Sequence, residues 1–124
     1  SNYGGHMIRD KNPVLRRTIE SLHLASKENR APIWDAVARL LNKPTRRRHE
    51  VNLYLIERNL EKGQVAVVPG AVLGEGGLTK PVTIAAMKFS AEAERKIKAA
   101  KGAVLTINEL VKKHPKGENI RILG

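Results

Sequence analysis

The stretch QVAVVPGAVLGEGGLTKPVTIAAMKFS, residues 64–90, decides the fold. It contains two apolar runs of the length and boundary residues typical of buried strands. The first run, residues 64–68, predicts a short strand that ends at Pro69-Gly70. The second predicts a strand from about Val82 to Phe89, and a glycine-rich crossing joins the two. The second half of the chain is therefore expected to contain buried strands.

Downstream of this stretch, short helices and short strands continue to alternate. Ser90 is expected to cap a helix, and residues 103–107 form the next apolar strand. Thr106 and Glu109 then match a capping box, which opens a further short helix. Residues 118–123 offer a terminal strand. This alternation favours an α/β domain.

Upstream of the stretch, the sequence pattern predicts mainly helices. Apolar residues at helical spacing predict a first helix over residues 12–29 and a second over residues 32–42, which Asn42 and Pro44 end. After an arginine-rich connection, a short strand that begins near Val51 is expected to run into a helical turn. Residues 57–62 are predicted to be the polar exit of that turn.

Composition limits the kinds of function. The chain has 124 residues, enough for one compact domain, and a net charge of +11 with 3% aromatic residues. Such an excess of positive charge is typical of proteins that bind nucleic acid. The absence of cysteine excludes disulfides, thiol catalysis and cysteine-ligated zinc. No segment has the length of a membrane span or the pattern of a secretory signal, so we expect no membrane partner and a cytoplasmic location.

The first residues, SNYGGHM, resemble the remnant of an expression tag followed by an initiator methionine. We therefore expect residues 1–6 to be a cloning remnant and residues 7–124 to be a single domain. His6 carries no functional meaning in this interpretation.

The glycine-rich crossing invites comparison with phosphate-binding loops. A P-loop requires glycine five residues after its first glycine, followed by lysine and a hydroxyl residue, but the position five residues after Gly70 is Glu75. The dinucleotide fingerprint also fails, because Gly74 and Gly76 fit its first two positions but Thr79 occupies the third. The glycines are better explained by tight turns or a close backbone approach.

The remaining polar residues give no catalytic or metal-binding pattern. His23, His49 and His114 show no metal-ligand spacing with other histidines or acids. Asp35 lies where the first turn of a helix attracts an anion, and no isolated acidic pair suggests acid–base chemistry. We therefore predict no enzyme activity, no metal and no cofactor.

Basic residues form three clusters. The densest cluster spans residues 39–48 and contains no acid. Its arginines follow a helix-stopping proline, and a guanidinium group suits phosphate better than an ammonium group. A second cluster lies on the first helix and a third near the C-terminus. A solvated charged face is the ordinary alternative, but the whole-chain charge favours binding of a polyanion. The predicted binding residues are Arg16, Arg17, Arg39, Lys43, Arg46, Arg47, Arg48, Lys116 and Arg121.

Two long segments bring the sequence close to a known family. NPVLRRTIESLHLASKENRAPIWDAVARLLNKPTRRRHEVNL, residues 12–53, resembles the N-terminal half of the large-subunit ribosomal protein eighteen-e family of archaea and eukaryotes. VAVVPGAVLGEGGLTKPVTIAAMKFSAEAERKIKAAKGAV, residues 65–104, resembles its second half and is also similar to the C-terminal region of bacterial large-subunit ribosomal protein fifteen. The short, tail-free length looks like the archaeal form.

The resemblance implies a helical N-terminal part followed by irregular, short strand–strand–helix turns. It implies a structural constituent of the large ribosomal subunit that binds large-subunit rRNA, contacts neighbouring ribosomal proteins and is a monomer when isolated. The matching basic positions are Arg16, Arg17, Lys43, Arg46, Arg47 and Arg48. Gly74 and Gly76 are expected to form an RNA-facing turn, since bare backbone can approach a phosphate closely. A DNA-binding or chromatin protein and a small nucleotide-dependent enzyme are the alternatives.

Overall fold

A five-stranded parallel sheet organises the chain. The structure is a computed structural model and describes residues 13–43 and 50–123. The strands are β1 (Glu50–Asn52), β2 (Val65–Leu73), β3 (Thr83–Phe89), β4 (Ala103–Leu105) and β5 (Ile120–Ile122). The helices are α1 (Pro13–Asn29), α2 (Pro32–Leu41), α3 (Leu53–Asn59), α4 (Ala91–Ala99) and α5 (Ile107–Lys113). The predicted α/β class with a helical N-terminal part is thereby confirmed.

Strand β2 is the centre of the sheet. It pairs with β3 along one side, and β4 continues the sheet beyond β3. On its other side β2 holds two short strands one after the other. β5 pairs with its beginning, where Val65 lies opposite Ile120, and β1 pairs with its end, where Val72 lies opposite Val51. All of these pairs are parallel.

Helices cover both faces of the sheet. Val67 and Ala85 point into a core formed with α1, α2 and α5, whereas Ala66 and Ile84 point into a second core formed with α3 and α4. Neighbouring residues of one strand therefore serve opposite layers, as the two-residue period of a strand requires. Burial on both faces explains why these strands are continuous apolar runs, without polar alternation.

Helices α1 and α2 form a hairpin joined by only two residues. Arg30 has a φ of +52°, and the N–H of Ala31 donates to the Ser26 carbonyl at 3.0 Å, which closes the end of α1 and reverses the chain. The two helices bury one face each in the first core, with Leu15 and Leu41 among the buried residues. The beginning of α1 and the end of α2 therefore lie at the same, open end of the hairpin.

Strand β2 is longer than predicted. We expected it to end at Pro69-Gly70, but it continues to Leu73. Its pairing with β3 shifts register between Val68 and Ala71, so the proline, which has no N–H to donate, falls in the irregular part of the ladder. The strand resumes after this irregularity, and the glycine-rich crossing is correspondingly shorter.

Helix α3 is also longer than predicted. Residues 57–59 belong to the helix Leu53–Asn59, although we expected a polar exit there. The buried face of Leu53 and Ile56 holds the helix on the sheet, and its polar residues lie outside. The caps of the later helices are confirmed: Ser90 accepts from the Ala93 N–H at 3.1 Å, and the capping box that opens α5 is present.

A nine-residue loop, residues 74–82, returns the chain from the end of β2 to the beginning of β3. It contains no helix, unlike most crossovers between parallel strands. Hydrogen bonds fix this return loop to α3 along its length. The Tyr54 N–H donates to the Glu75 carbonyl at 3.1 Å, the Thr79 N–H donates to Glu57 Oε1 at 3.2 Å, and Lys80 Nζ donates to the Leu60 carbonyl at 2.9 Å. The connection between β2 and β3 therefore has no helix of its own and is supported by hydrogen bonds to α3 and its C-terminal cap.

Candidate nucleic-acid interface

The open end of the α1–α2 hairpin carries four of the predicted binding residues. Arg16 and Arg17 are exposed in the first two turns of α1, because Leu15 and Ile19 direct the opposite face of that helix into the core. Arg39 and Lys43 are exposed at the end of α2. We call these four residues the hairpin surface. The hairpin therefore brings together two basic clusters that are separate in sequence.

The arginine segment, Arg46 to Arg48, lies outside the described residues. Its two flanks are described. Leu41 is buried in the first core, whereas Val51 is buried in the second core on the opposite face of the sheet. The two described flanks of this segment therefore belong to opposite layers of the domain.

The glycine-rich turn is a packed structure. A Cβ atom at Gly74 would lie 2.8 Å from Glu92 Cβ, and one at Gly76, where φ is +98°, would lie 2.7 Å from Tyr54 Cβ. Lys96 Nζ donates to the carbonyls of Gly74 and Gly76 at 2.8 and 2.7 Å. Close packing thus accounts for glycine at both positions, and the positive φ is a second reason at Gly76. One ammonium group, that of Lys96, fixes the turn.

The two C-terminal candidates lie apart. Lys116 is exposed in the turn after α5. Arg121 is exposed in β5 between Ile120 and Ile122, which pack against the first core, so its side chain lies on the opposite face of the sheet. Lys116 and Arg121 therefore do not form one surface, although they were predicted as one cluster.

Several acidic and histidine side chains have structural roles. His23 Nδ1 lies 2.7 Å from Asp35 Oδ1, which ties α1 to α2. Hydrogen bonds from the Thr79 side chain and N–H lower the pKa of Glu57, and hydrogen bonds from the Thr106 N–H and hydroxyl lower that of Glu109. In the part of the chain that the structure describes, no group of three or more histidines and acids could hold a metal ion.

Comparison with known proteins decides the family. A family model described as ribosomal protein 60S L18 and 50S L18e matches residues 7–124. The chain belongs to this family. It is 44% identical to the large ribosomal subunit protein eL18 of Archaeoglobus fulgidus over 116 residues, which covers 94% of this chain and 99% of that protein. It is 46% identical to eL18 of Methanoregula boonei, covering 94% and 96%, and 44% identical to eL18 of Pyrobaculum aerophilum, covering 90% and 92%.

The eL18 family assignment confirms the resemblance to the eighteen-e proteins and the archaeal type. This family consists of structural ribosomal proteins and not of enzymes. The described residues include no helix long and apolar enough to cross a membrane.

Sequence reasoning missed several residues near the candidate surfaces of this eL18 family member. Tyr54 has 44% of its surface exposed beside the glycine-rich turn, and its aromatic ring is the most exposed one in the described ranges. Arg30 was not predicted as a binding residue, yet it is exposed in the hairpin connection, beside which the turn after α5 packs. Lys113, which is also exposed, belongs to the basic cluster near the C-terminus but was left out of the predicted binding residues, because a helix end favours a cation in any case. The approach of this turn to the hairpin depends on contacts over more than 80 residues.

Proposed function

We propose that the chain binds large-subunit rRNA through clustered arginines and lysines, as a structural constituent of the large ribosomal subunit. The observation that carries this proposal is the hairpin surface, whose four basic residues are exposed and whose last member, Lys43, precedes the arginine segment by three positions. The proposed contacts are Arg16, Arg17, Arg39, Lys43, Arg46, Arg47, Arg48, Gly74, Gly76, Lys116 and Arg121.

The proposed mechanism is neutralisation of phosphate groups. Each guanidinium group can bind two phosphate oxygens through a fixed pair of N–H donors, and each contact releases condensed counterions. The hairpin presents Arg16 and Arg17 from helical backbone, so the backbone of these two residues needs no ordering on binding. Recognition is mainly of RNA shape, because the chain has few aromatic residues on which bases could stack.

The salt dependence of binding tests this function. If about five phosphates are neutralised, the logarithm of the association constant with an rRNA fragment should fall against the logarithm of salt concentration with a slope of roughly −3.5 to −4.5. Replacing Arg46, Arg47 and Arg48 with serine should flatten the slope by about 2 to 3, and Arg16→Ser with Arg17→Ser by about 1.5. A slope that neither set of substitutions changes would exclude these residues as contacts.

A matched control comes from the opposite layer of the domain. Lys98 and Lys101 are exposed at the end of α4, away from the hairpin. Their replacement with serine removes two positive charges, as does the Arg16 and Arg17 pair, but should leave the slope unchanged. Equal effects of the two double variants would indicate that net charge alone governs binding.

The cellular fraction in which the protein is found distinguishes RNA binding from DNA binding. We propose a cytoplasmic location, contacts with neighbouring large-subunit ribosomal proteins, and a monomeric state when the protein is isolated. Co-migration with large subunits on a sucrose gradient is expected. Co-migration with DNA would favour a DNA-binding or chromatin protein, and a dimer in sedimentation equilibrium would contradict the monomeric state.

A further inference from the structure

The turn after α5 packs against the closed end of the α1–α2 hairpin. Trp34 Nε1 donates to the Pro115 carbonyl at 2.8 Å, across 81 positions of sequence. A Cβ atom at Gly117 would lie 2.5 Å from Ile33 Cγ2 and 3.9 Å from Ala31 Cβ. These contacts place residues 115–117 against the beginning of α2, next to the connection that joins the two helices.

Three structural elements bring basic residues to this closed end. Arg30 is exposed in the hairpin connection, Lys113 at the end of α5 and Lys116 in the turn that follows. We call these three residues the turn surface. A helix end favours a cation in any case, so Lys113 alone would indicate little. The convergence of two segments more than 80 positions apart, the hairpin connection and the end of α5 with its turn, is what distinguishes this surface.

The turn surface contains a shallow cavity of about 200 Å³, which is large enough for a phosphate group. Its lining consists of Lys113, His114, Pro115, Lys116 and Glu118. The two ammonium groups of Lys113 and Lys116 outnumber the single carboxylate of Glu118, so the cavity favours an anion.

The turn surface is far from Arg16 and Arg17 of the hairpin surface. Arg16 and Arg30 lie 14 positions apart on and just after one helix, which corresponds to about 21 Å at 1.5 Å per residue. This separation is more than twice the Debye length of about 8 Å at physiological ionic strength. Arg39 is closer, at about 14 Å along α2. The exposed charged residues of α1 between the two ends are Glu20, Lys27 and Glu28. Arg16 and Arg17 are therefore the part of the hairpin surface that is electrostatically separate from the turn surface.

We propose that the turn surface binds a second RNA backbone segment, so that the protein bridges two segments held at opposite ends of the hairpin. This inference rests on the proposed RNA-binding function and adds a second RNA segment as the partner of the turn surface. The hairpin then acts as a spacer of fixed length between two phosphate backbones. Its rigidity comes from the His23–Asp35 pair and the buried core between the helices.

A ternary complex tests the bridge. Short RNA duplexes labelled with a donor dye are mixed with duplexes labelled with an acceptor dye, and the full chain is titrated into the mixture. Energy transfer is expected when one protein molecule holds one duplex of each kind. It should disappear at excess protein, when each duplex has a molecule of its own.

Substitutions at each end of the hairpin test which surface binds which duplex. Arg30→Asn with Lys113→Ser should abolish the energy transfer but leave binding of a single duplex within about threefold of the unsubstituted protein; asparagine is chosen because Arg30 has a positive φ. Arg16→Ser with Arg17→Ser should weaken binding of the first duplex. The control pair Lys98→Ser and Lys101→Ser should leave both signals unchanged. Circular dichroism of each variant verifies that the fold is retained.

The two proposals fail in different ways. Absence of binding to any RNA duplex would overturn the proposed function itself. Binding of one duplex without energy transfer would overturn only the bridge. An equal loss of single-duplex affinity in the turn-surface and hairpin-surface variants would also overturn it, because that result indicates one continuous footprint.

Discussion

Replacing Trp34 with phenylalanine is expected to destabilise the protein by about 2 kcal/mol. The indole is fully buried, and its N–H donates to the Pro115 carbonyl at 2.8 Å. Loss of that hydrogen bond costs about 1 kcal/mol, since Pro115 lies at the surface and water can reach its carbonyl. The smaller ring leaves a void of roughly 40 Å³, which at about 24 cal/mol per Å³ adds about 1 kcal/mol.

Urea unfolding followed by far-ultraviolet circular dichroism measures this change. Fluorescence is unsuitable because Trp34 is the only tryptophan in the chain. With an m-value of about 1.5 kcal/mol per molar, a loss of about 2 kcal/mol lowers the midpoint by about 1.3 M. Ile84→Val is the control, because it removes buried volume without a hydrogen bond and should cost about 1 kcal/mol.

The same variant should also loosen the turn after α5. Amide hydrogen exchange at Gly117, whose N–H donates to the His114 carbonyl at 2.9 Å, should accelerate more than exchange in the centre of β3. A midpoint within about 0.3 M of the unsubstituted protein, with unchanged exchange at Gly117, would refute the anchoring role of Trp34.

Three further predictions concern the return loop and its support. Lys96→Met should destabilise the protein by about 1–2 kcal/mol and accelerate amide exchange in the glycine-rich turn, because two loop carbonyls lose their hydrogen-bond donor. Lys98→Met is the control and should change stability by less than about 0.5 kcal/mol, since Lys98 forms only an exposed ion pair. Equal effects of the two substitutions would contradict the role of Lys96 in fixing the turn. Gly76→Ala should cost at least about 1 kcal/mol more than Gly63→Ala in urea unfolding, since both positions have positive φ but only the first is sterically blocked. Hydrogen bonds lower the pKa of Glu57 in the folded state below its ordinary value of 4.5, which applies to the unfolded chain. The ionised carboxylate therefore stabilises the folded protein fully at pH values above 4.5. This stabilisation is lost as the pH falls through the pKa of the folded state. The stability difference between the unsubstituted protein and Glu57→Gln should therefore shrink in acid, and a constant difference would refute this.

Local signals in the sequence were sufficient for much of the secondary structure. The capping box of Thr106 and Glu109 involves groups within four residues, so it could be predicted without knowledge of the rest of the chain. The end of β2 was predicted wrongly because that prediction also relied on a local signal alone. Pro69 is a local stop signal, but pairing with β3 continues on both sides of the irregularity and outweighs it.

Contacts across many residues could not be predicted. The hydrogen bond between Trp34 and Pro115 and the pair formed by His23 and Asp35 depend on how the helices pack. Neither pair has a distinctive sequence spacing. The arrangement of β5 and β1 along one side of β2 likewise follows from the length of β2, which only the folded sheet reveals.

The candidate interface was predictable residue by residue but not as a surface. Arg16 and Arg17 fall outside the apolar stripe of the first helix, and the structure shows both exposed. Their grouping with Lys43, and the separation of Lys116 from Arg121, required the fold. The alternation of Ile120, Arg121 and Ile122 was the available signal that Arg121 belongs to another face.

Crosslinking of the protein within large ribosomal subunits, followed by mapping of the modified residues, tests the central claim most directly. Crosslinks to rRNA are expected at Arg16, Arg17 and Arg46–Arg48, with a separate set at Lys113 and Lys116. Crosslinks confined to α4, with none at the hairpin surface or the arginine segment, would contradict the account.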